Sequence, residues 1–264
     1  DTIDEINMLV AKGYKEVILT GIHIGAYGRG VKDETCDLTG LCRRILDETA
    51  IERLRIGSLE GIEVTDALIE MIASDERMAK HLHLPLQSGC DRTLSAMRRP
   101  YDTEQFREMM RRIRGKVPNI AITTDLMVGF PGETEEDFKE SLVFCNDIAF
   151  SAMHIFKYSM RSGTPAAAMP DQIDPQIKER RAKQMADVAQ KNKLEYERRF
   201  IGKTLRILVE EQNADGLWTG HSSNYLLVTF PGEGVRSGDF VDVTITAAER
   251  SRLLGEIEIH NEEE

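Results

Sequence analysis

The 264-residue chain has no apolar run near the ~20 residues that a membrane-spanning helix needs, and nothing at its start resembles a signal peptide. It is short of cysteine. Cys36, Cys42, Cys90 and Cys145 form no Cys-x-x-Cys pair, which argues against a disulfide framework and fits four free thiols in a reducing, cytosolic setting. Positive charge is also lacking: the net charge is −11, and from Phe200 onward 5 Lys and Arg face 12 Asp and Glu. Such a balance argues against broad non-specific nucleic-acid binding, which works by neutralising phosphates. A local basic stretch remains at Arg98–Arg99, Arg107, Arg111–Arg112, Arg114 and Lys116, readable as the solvated face of a helix or as a nucleic-acid contact.

What is present is a regular alternation. Thr2 and Glu5 form a T-x-x-E capping pattern ahead of an apolar stripe through Ile3, Ile6, Leu9 and Val10. Apolar strand-like runs follow at Val17–Thr20, Leu54–Ser58, His81–Leu86, Ala121–Val128 and Met153–Ser159. Helical segments are expected at 38–49, 65–74, 92–97, 103–116 and 134–147. The alternation predicts a parallel sheet or barrel, and amphipathic helices covering one outer face favour a partial barrel over a doubly wound sheet. A Pro-, Ala- and Gly-rich break at 163–175 precedes one long charged helix that runs to about Phe200. Beyond Gly202 the texture changes to five short β-rich runs separated by Asp-Gly, Pro-Gly and Ser-Gly turns, which predicts a small all-β, OB-like barrel. The fold class is therefore α/β, with an α/β unit over residues 1–200 and a β unit over 201–264.

Parallel barrels carry their chemistry at the C-terminal ends of the strands, and the unusual residues of this chain fall there. They are Thr20-Gly-Ile-His-Ile-Gly-Ala-Tyr-Gly28, Gly57-Ser-Leu-Glu-Gly61, the HLPLQSG string ending at Gly89, TDLMVGFPGET ending at Thr134, and YSMRSGTPA ending at Ala166. Taken in order, these strings resemble the radical S-adenosylmethionine methylthiotransferases over the whole chain, and the closing β unit resembles their TRAM module. Gly-Ala-Tyr-Gly28 and Gly220-His-Ser-Ser-Asn-Tyr225 are most similar to the MtaB branch. That branch adds a methylthio group to threonylcarbamoyladenosine beside the anticodon of tRNA.

The resemblance implies S-adenosylmethionine held across the mouth of the partial barrel and, in the intact enzyme, two 4Fe-4S clusters. Reductive cleavage at the barrel cluster would yield a radical that abstracts hydrogen from the adenine ring, with sulfur insertion and methyl transfer following. By position, Thr20 and Gly21 match the loop receiving the methionyl amine, and Ser58 and Glu60 the strand end facing ribose and amine. Gln87 lines the pocket, Asp125 and Gly129 lie on the strand packed against the cofactor, and Phe156 and Tyr158 flank the adenine. The types suit those tasks. Asp125 in an apolar strand reads as a buried carboxylate in need of partners. Glu60, Phe156 and Tyr158 are equally readable as structural, and Gly129-Phe-Pro-Gly-Glu133 is first of all a turn feeding a helix. His81, His83 and His154 have no Cys or carboxylate beside them at metal spacing and read as structural, so no metal ligands are expected.

Two departures stand out. Gly57 replaces a serine more usual in the family, and Cys90 another. The family's Cys-x-x-x-Cys-x-x-Cys motif is missing, and the four scattered thiols cannot substitute for it. The expectation is a truncated enzyme with no catalytic residues of its own, no cluster and no activity by itself. Its expected partner is tRNA, gripped through Lys203, Arg206, His221, Asn224 and Tyr225, with Tyr225 able to stack on a base. The acidic β unit, with a Glu262–Glu264 tail expected to be disordered, keeps two alternatives open: methylthiolation of a basic ribosomal protein, and a non-enzymatic RNA-binding protein.

Overall fold

The computed structural model describes residues 1–31, 36–250 and 252–258. The acidic tail lies outside them. Helix α1 (Thr2–Ala11) starts one residue earlier than the T-x-x-E pattern implies. Asp1 is the cap, its carboxylate accepting the Ile3 N–H at 2.9 Å, and Thr2 is already helical. Then come β1 (Glu16–Leu19), α2 (Leu38–Glu48), β2 (Arg53–Ile56), α3 (Asp66–Ser74), β3 (His81–His83), α4 (Asp91–Ala96), α5 (Thr103–Lys116), β4 (Ala121–Val128), α6 (Glu135–Ile148), β5 (Ala152–Lys157) and α7 (Pro175–Arg198).

β1 pairs with β2, β3 with β4, and β4 with β5, all parallel. Isolated parallel bridges, Leu54 to Met78 and Ser58 to His83, connect the two-stranded sheet β1-β2 to the three-stranded sheet β3-β4-β5, so that five parallel strands follow in chain order as a half-barrel. β3 is shorter than its apolar run. Pro85 has no N–H to give, and the Thr124 hydroxyl takes over the ladder, accepting from Leu86 N at 2.9 Å and donating to Leu84 O at 2.7 Å.

Strand geometry then sorts the side chains, since neighbours point to opposite faces. Leu54, Ile56, Leu82, Ile122 and Leu126 are buried under the helices, each contributing about 1.5–3 kcal/mol through burial. The opposite, inner face carries Arg53, Arg55, His81, His83, Thr123, Asp125 and His154. Ile18, Ala152 and Phe156 share that face with them. The turn after β4 is locked from α7: buried Arg181 sets Nη1 2.6 Å from Glu133 Oε1, which also accepts the Gly129 N–H at 3.0 Å.

After α7, strands β6 (Thr204–Gln212), β7 (Trp218–Ser222), β8 (Leu227–Phe230), β9 (Phe240–Ala248) and β10 (Leu253–Ile257) close into a barrel of order β10-β8-β7-β6-β9. Its core of Ile207, Val209, Val228, Phe230, Val243, Ile245 and Leu253 also takes in Tyr196 and Phe200 from the end of α7, tying the two units together.

Candidate functional site

The seam between the units rests on two buried arginines of β2. Arg53 donates to His221 O at 3.0 Å and Arg206 O at 2.9 Å; Arg55 donates to Ser222 O and Ser223 O, each at 3.2 Å. Glu16 on β1 neutralises both, at 3.1 and 2.7 Å. Burial pulls the Arg53 pKa down to about 10, which leaves it charged at neutral pH. Backbone carbonyls of the β-barrel thus plug one end of the half-barrel.

Between that plug and the strand ends lies a cavity of about 550 Å³, lined among others by Arg55, Ser58, His83, Asp125, His154, Phe156, Asn224 and Tyr225. Thr123 Oγ1 sits between two imidazoles, 3.0 Å from His81 Nε2 and 2.9 Å from His83 Nδ1. Burial, with Arg55, His83 and His221 adding to it, pushes the His81 pKa down to about 3, so this ring is neutral.

The structure divides the nine expected cofactor residues. Ser58, Asp125 and Phe156 line the cavity, with Phe156 52% exposed into it. Asp125 is only partly buried and has its partner: Oδ2 lies 3.4 Å from His83 Nε2. Gln87 takes a left-handed conformation (φ 69°) and opens onto a neighbouring cleft of about 420 Å³ with Met97, Arg98, Met127 and Phe130. Thr20 and Gly21 are exposed beyond β1. Glu60 is held by Arg99 at 3.4 Å, and Gly129 presses against the Lys178 side chain, where a Cβ would collide. Tyr158 is buried edge-on against Phe130.

The RNA-contact set is largely committed elsewhere. Arg206 pairs with Glu52 and lies over the Phe240 ring, Asn224 donates to Asn119 O at 2.7 Å, and His221 meets Glu210 at 2.7 Å. Lys203, exposed, lies over Phe200. The Tyr225 ring, 49% exposed, is engaged within the chain: it stacks with His81 at 4.9 Å and with His221 at 4.7 Å, and the Arg55 guanidinium lies 4.9 Å from its centroid. The basic stretch of α5 is likewise paired, Arg107 and Arg111 with Glu104, Arg112 with Asp66 and Lys116 with Glu70. Arg114 is spent on the carbonyls of Ile148 and Ala149.

The reading of the histidines without a carboxylate beside them is corrected. Strand register brings Asp125 opposite His154 and one step from His83, a proximity that sequence spacing does not reveal.

Among the described residues, buried polar atoms without a partner include Glu60 Oε2, Tyr158 Oη and His81 Nδ1, all beside the cavity or the strand ends. Such atoms are costly unless something satisfies them, so the strand ends fit a polar, nucleoside-sized ligand. The thiols do not fit an iron–sulfur cluster: Cys42, Cys90 and Cys145 are buried on separate elements, and Cys36 is half-buried before α2. Burial raises Cys42 and Cys145 to about 12 each, the reverse of what thiolate ligands need.

The arrangement defines a class: a parallel α/β half-barrel with a polar cavity at its centre, plugged at one end by a five-strand β-barrel. The chain belongs to the radical SAM superfamily, whose pattern matches residues 1–145, and a TRAM domain pattern matches residues 198–257. It is 37% identical over 254 residues to the threonylcarbamoyladenosine tRNA methylthiotransferase MtaB of Bacillus subtilis (strain 168), covering 94% of this chain and 56% of that protein. It is 39% identical over 260 residues to a tRNA-2-methylthio-N(6)-dimethylallyladenosine synthase of Desulforamulus reducens, covering 97% and 56%. The chain thus spans little more than half the length of these relatives. The fold is similar to coproporphyrinogen III oxidase from Escherichia coli, a radical SAM enzyme, with TM-score 0.53 and 12% identity over 79% of this chain and 54% of that one. Among the described residues no helix is long and apolar enough to cross a membrane.

Proposed function

We propose that this chain is the cofactor-binding and RNA-binding part of a tRNA methylthiotransferase, residues 1–200 forming the radical SAM core and 201–264 the TRAM unit. We propose further that its nucleotide is threonylcarbamoyladenosine. The observation that carries this reading is the chemistry of the cavity: Arg55, Ser58, His83, Thr123, Asp125, His154 and Asn224 all contribute polar side chains to it. The two relatives are named for adenosines that differ in the N6 group, one bearing a hydroxyl and a carboxylate, the other a hydrocarbon. Ile18, Ile56, Phe156, Leu226 and Leu227 share that lining, and the exposed polar side chains of Ser58 and His154 among them suit the hydroxyl and carboxylate of the first better than the hydrocarbon of the second.

S-adenosylmethionine, when bound, supplies a methyl group and the source of the radical. Thr20, Gly21, Ser58, Glu60, Gln87, Asp125, Gly129, Phe156 and Tyr158 are the residues that would hold it. The free Glu60 oxygen suits an ammonium or a ribose hydroxyl, and the Phe156 face an adenine. Arg181 and Glu133 keep the turn at Gly129 in shape, so that its backbone is placed before any ligand arrives. No residue of this chain is assigned to the iron–sulfur clusters that the family uses, and by itself the chain is proposed to be inactive. On the RNA side, exposed Lys203 and the outer edge of Tyr225 remain for contacts, with Arg206, His221 and Asn224 shaping the surface around them.

The test is genetic. Expressed from its complete gene in a bacterial host whose own methylthiotransferase for this base is deleted, the protein should restore 2-methylthio-threonylcarbamoyladenosine, read by mass spectrometry of digested tRNA. Methylthiolation of dimethylallyladenosine instead would refute the nucleotide assignment. A methylthiolated ribosomal protein with unchanged tRNA would refute the RNA reading altogether.

A further inference from the structure

His83, Asp125 and His154 come from three adjacent strands, β3, β4 and β5, and each points into the same cavity. One ligand atom from each lies within 4.8 Å of the others. The β4–β5 register sets Asp125 directly opposite His154, and the β3–β4 register sets His83 opposite Thr123, one step away on the same face. We propose that these three side chains form an open binding site for a divalent first-row transition metal ion such as zinc, cobalt or iron(II).

The geometry is close to what such an ion requires. Donors held at ~2.1 Å from a tetrahedral or octahedral ion stand about 3.0–3.4 Å apart. His83 Nε2 and Asp125 Oδ2 are already 3.4 Å apart. His154 is exposed on β5, its ring centroid 5.9 Å from that of His83, so a rotamer adjustment at one unrestrained side chain completes the triad. The orientation of the His83 ring is also held. Nδ1 is held 2.9 Å from Thr123 Oγ1, a hydroxyl itself fixed by His81 Nε2 at 3.0 Å, which leaves Nε2 to face Asp125. A hydrogen bond behind a ligating imidazole is the usual way its orientation and basicity are fixed.

The donor set determines the class of ion. Two imidazoles and one carboxylate favour borderline nitrogen-and-oxygen metals over calcium or magnesium, which prefer all-oxygen cages, and over the soft ions selected by thiolates. Three protein ligands on one side leave positions open toward the cavity, the arrangement of a site that admits water or a substrate group rather than a closed structural centre. The inference does not rest on the proposed methylthiotransferase activity, because ion binding needs neither S-adenosylmethionine nor RNA.

The test uses the 264-residue chain stripped with a chelator and titrated with cobalt(II), followed by its visible ligand-field absorption and by calorimetry. One equivalent should bind saturably and be displaced by zinc(II). Asp125→Asn and His154→Ala should each weaken binding by about tenfold or more. His23→Ala, on an exposed turn beyond β1, should leave it unchanged. Unfolding midpoints of all variants without metal separate loss of a ligand from loss of fold. Absence of a stoichiometric cobalt complex in the unmodified chain overturns the proposal, as does undiminished binding in both folded triad variants.

Discussion

Replacing Arg181 by methionine keeps most of the apolar length of the side chain and removes the cation buried against Glu133. The arginine is 3% exposed and the glutamate 6%. The lost contacts are the 2.6 Å ion pair, the Arg181 donation to Glu133 O at 3.2 Å and the contact with Glu135 at 3.3 Å. Breaking a buried pair from one side costs about 3–5 kcal/mol, a large share of the ~5–15 kcal/mol of a typical domain. Burial already holds Glu133 above the usual carboxylate range, with the Gly129 N–H and Arg181 opposing the shift. Without Arg181 that pKa should rise further. A group whose folded pKa is raised binds extra protons in the native state, so the penalty is fully present above the folded pKa. It is relieved as pH falls toward the unfolded value of about 4.3. Urea unfolding of Arg181→Met should therefore show a loss of about 3–5 kcal/mol near neutrality and less near pH 5. The double variant Glu133→Gln/Arg181→Met should be less destabilised than the sum of the two single variants, with a coupling of about 2 kcal/mol or more. A single-variant cost under about 1 kcal/mol, or additive effects, would refute the view that this pair holds the turn at Gly129.

Other expectations follow from burial and from the seam. In the native chain a thiol reagent should modify one cysteine quickly, half-buried Cys36, and reach Cys42, Cys90 and Cys145 only on unfolding; rapid reaction at Cys145 would contradict its complete burial. Arg55→Met removes two donations to the β-barrel and the cation over the Tyr225 ring, and leaves Glu16 with one partner. It should cost about 2–4 kcal/mol and speed proteolysis between the units near residue 200, whereas an unchanged cleavage pattern would show that α7 alone holds them together. Leu82→Ala, at a fully buried site, should cost about 2–5 kcal/mol in denaturant, and a loss below that range would mean that the sheet face repacks.

Where local signals were strong, the sequence was a good guide. The helix expected at 103–116 and the strand expected at Ala121–Val128 match α5 and β4 at both ends, and the structure adds a capping box between Asp102 and Gln105 that fixes the start of α5. Pro85 shortened β3 through a missing donor that the apolar run hides. The inner face was the hard part. Arg53-Leu-Arg-Ile56 alternates like any half-buried strand, and only the fold shows that the arginines are consumed by carbonyls of a unit about 150 residues away. Tyr225 could be recognised as an aromatic at a turn, but the imidazoles stacked with it come from two different units. His83, Asp125 and His154 meet only through strand register, so linear spacing gave no sign of them.

Calorimetric titration of S-adenosylmethionine into the 264-residue chain decides whether its strand ends form a site for that ligand. One saturable site is predicted, weakened by about 1.4 kcal/mol or more, a factor of ~10, by Phe156→Ala, and abolished by Gly129→Val, whose side chain would enter the Lys178 contact at a backbone φ of +73°. Both variants are to be compared at matched folding by circular dichroism. Heat of binding that is absent from the folded, unmodified chain, or unaffected by either change, would contradict the account and leave the half-barrel as a scaffold for its RNA-binding partner unit.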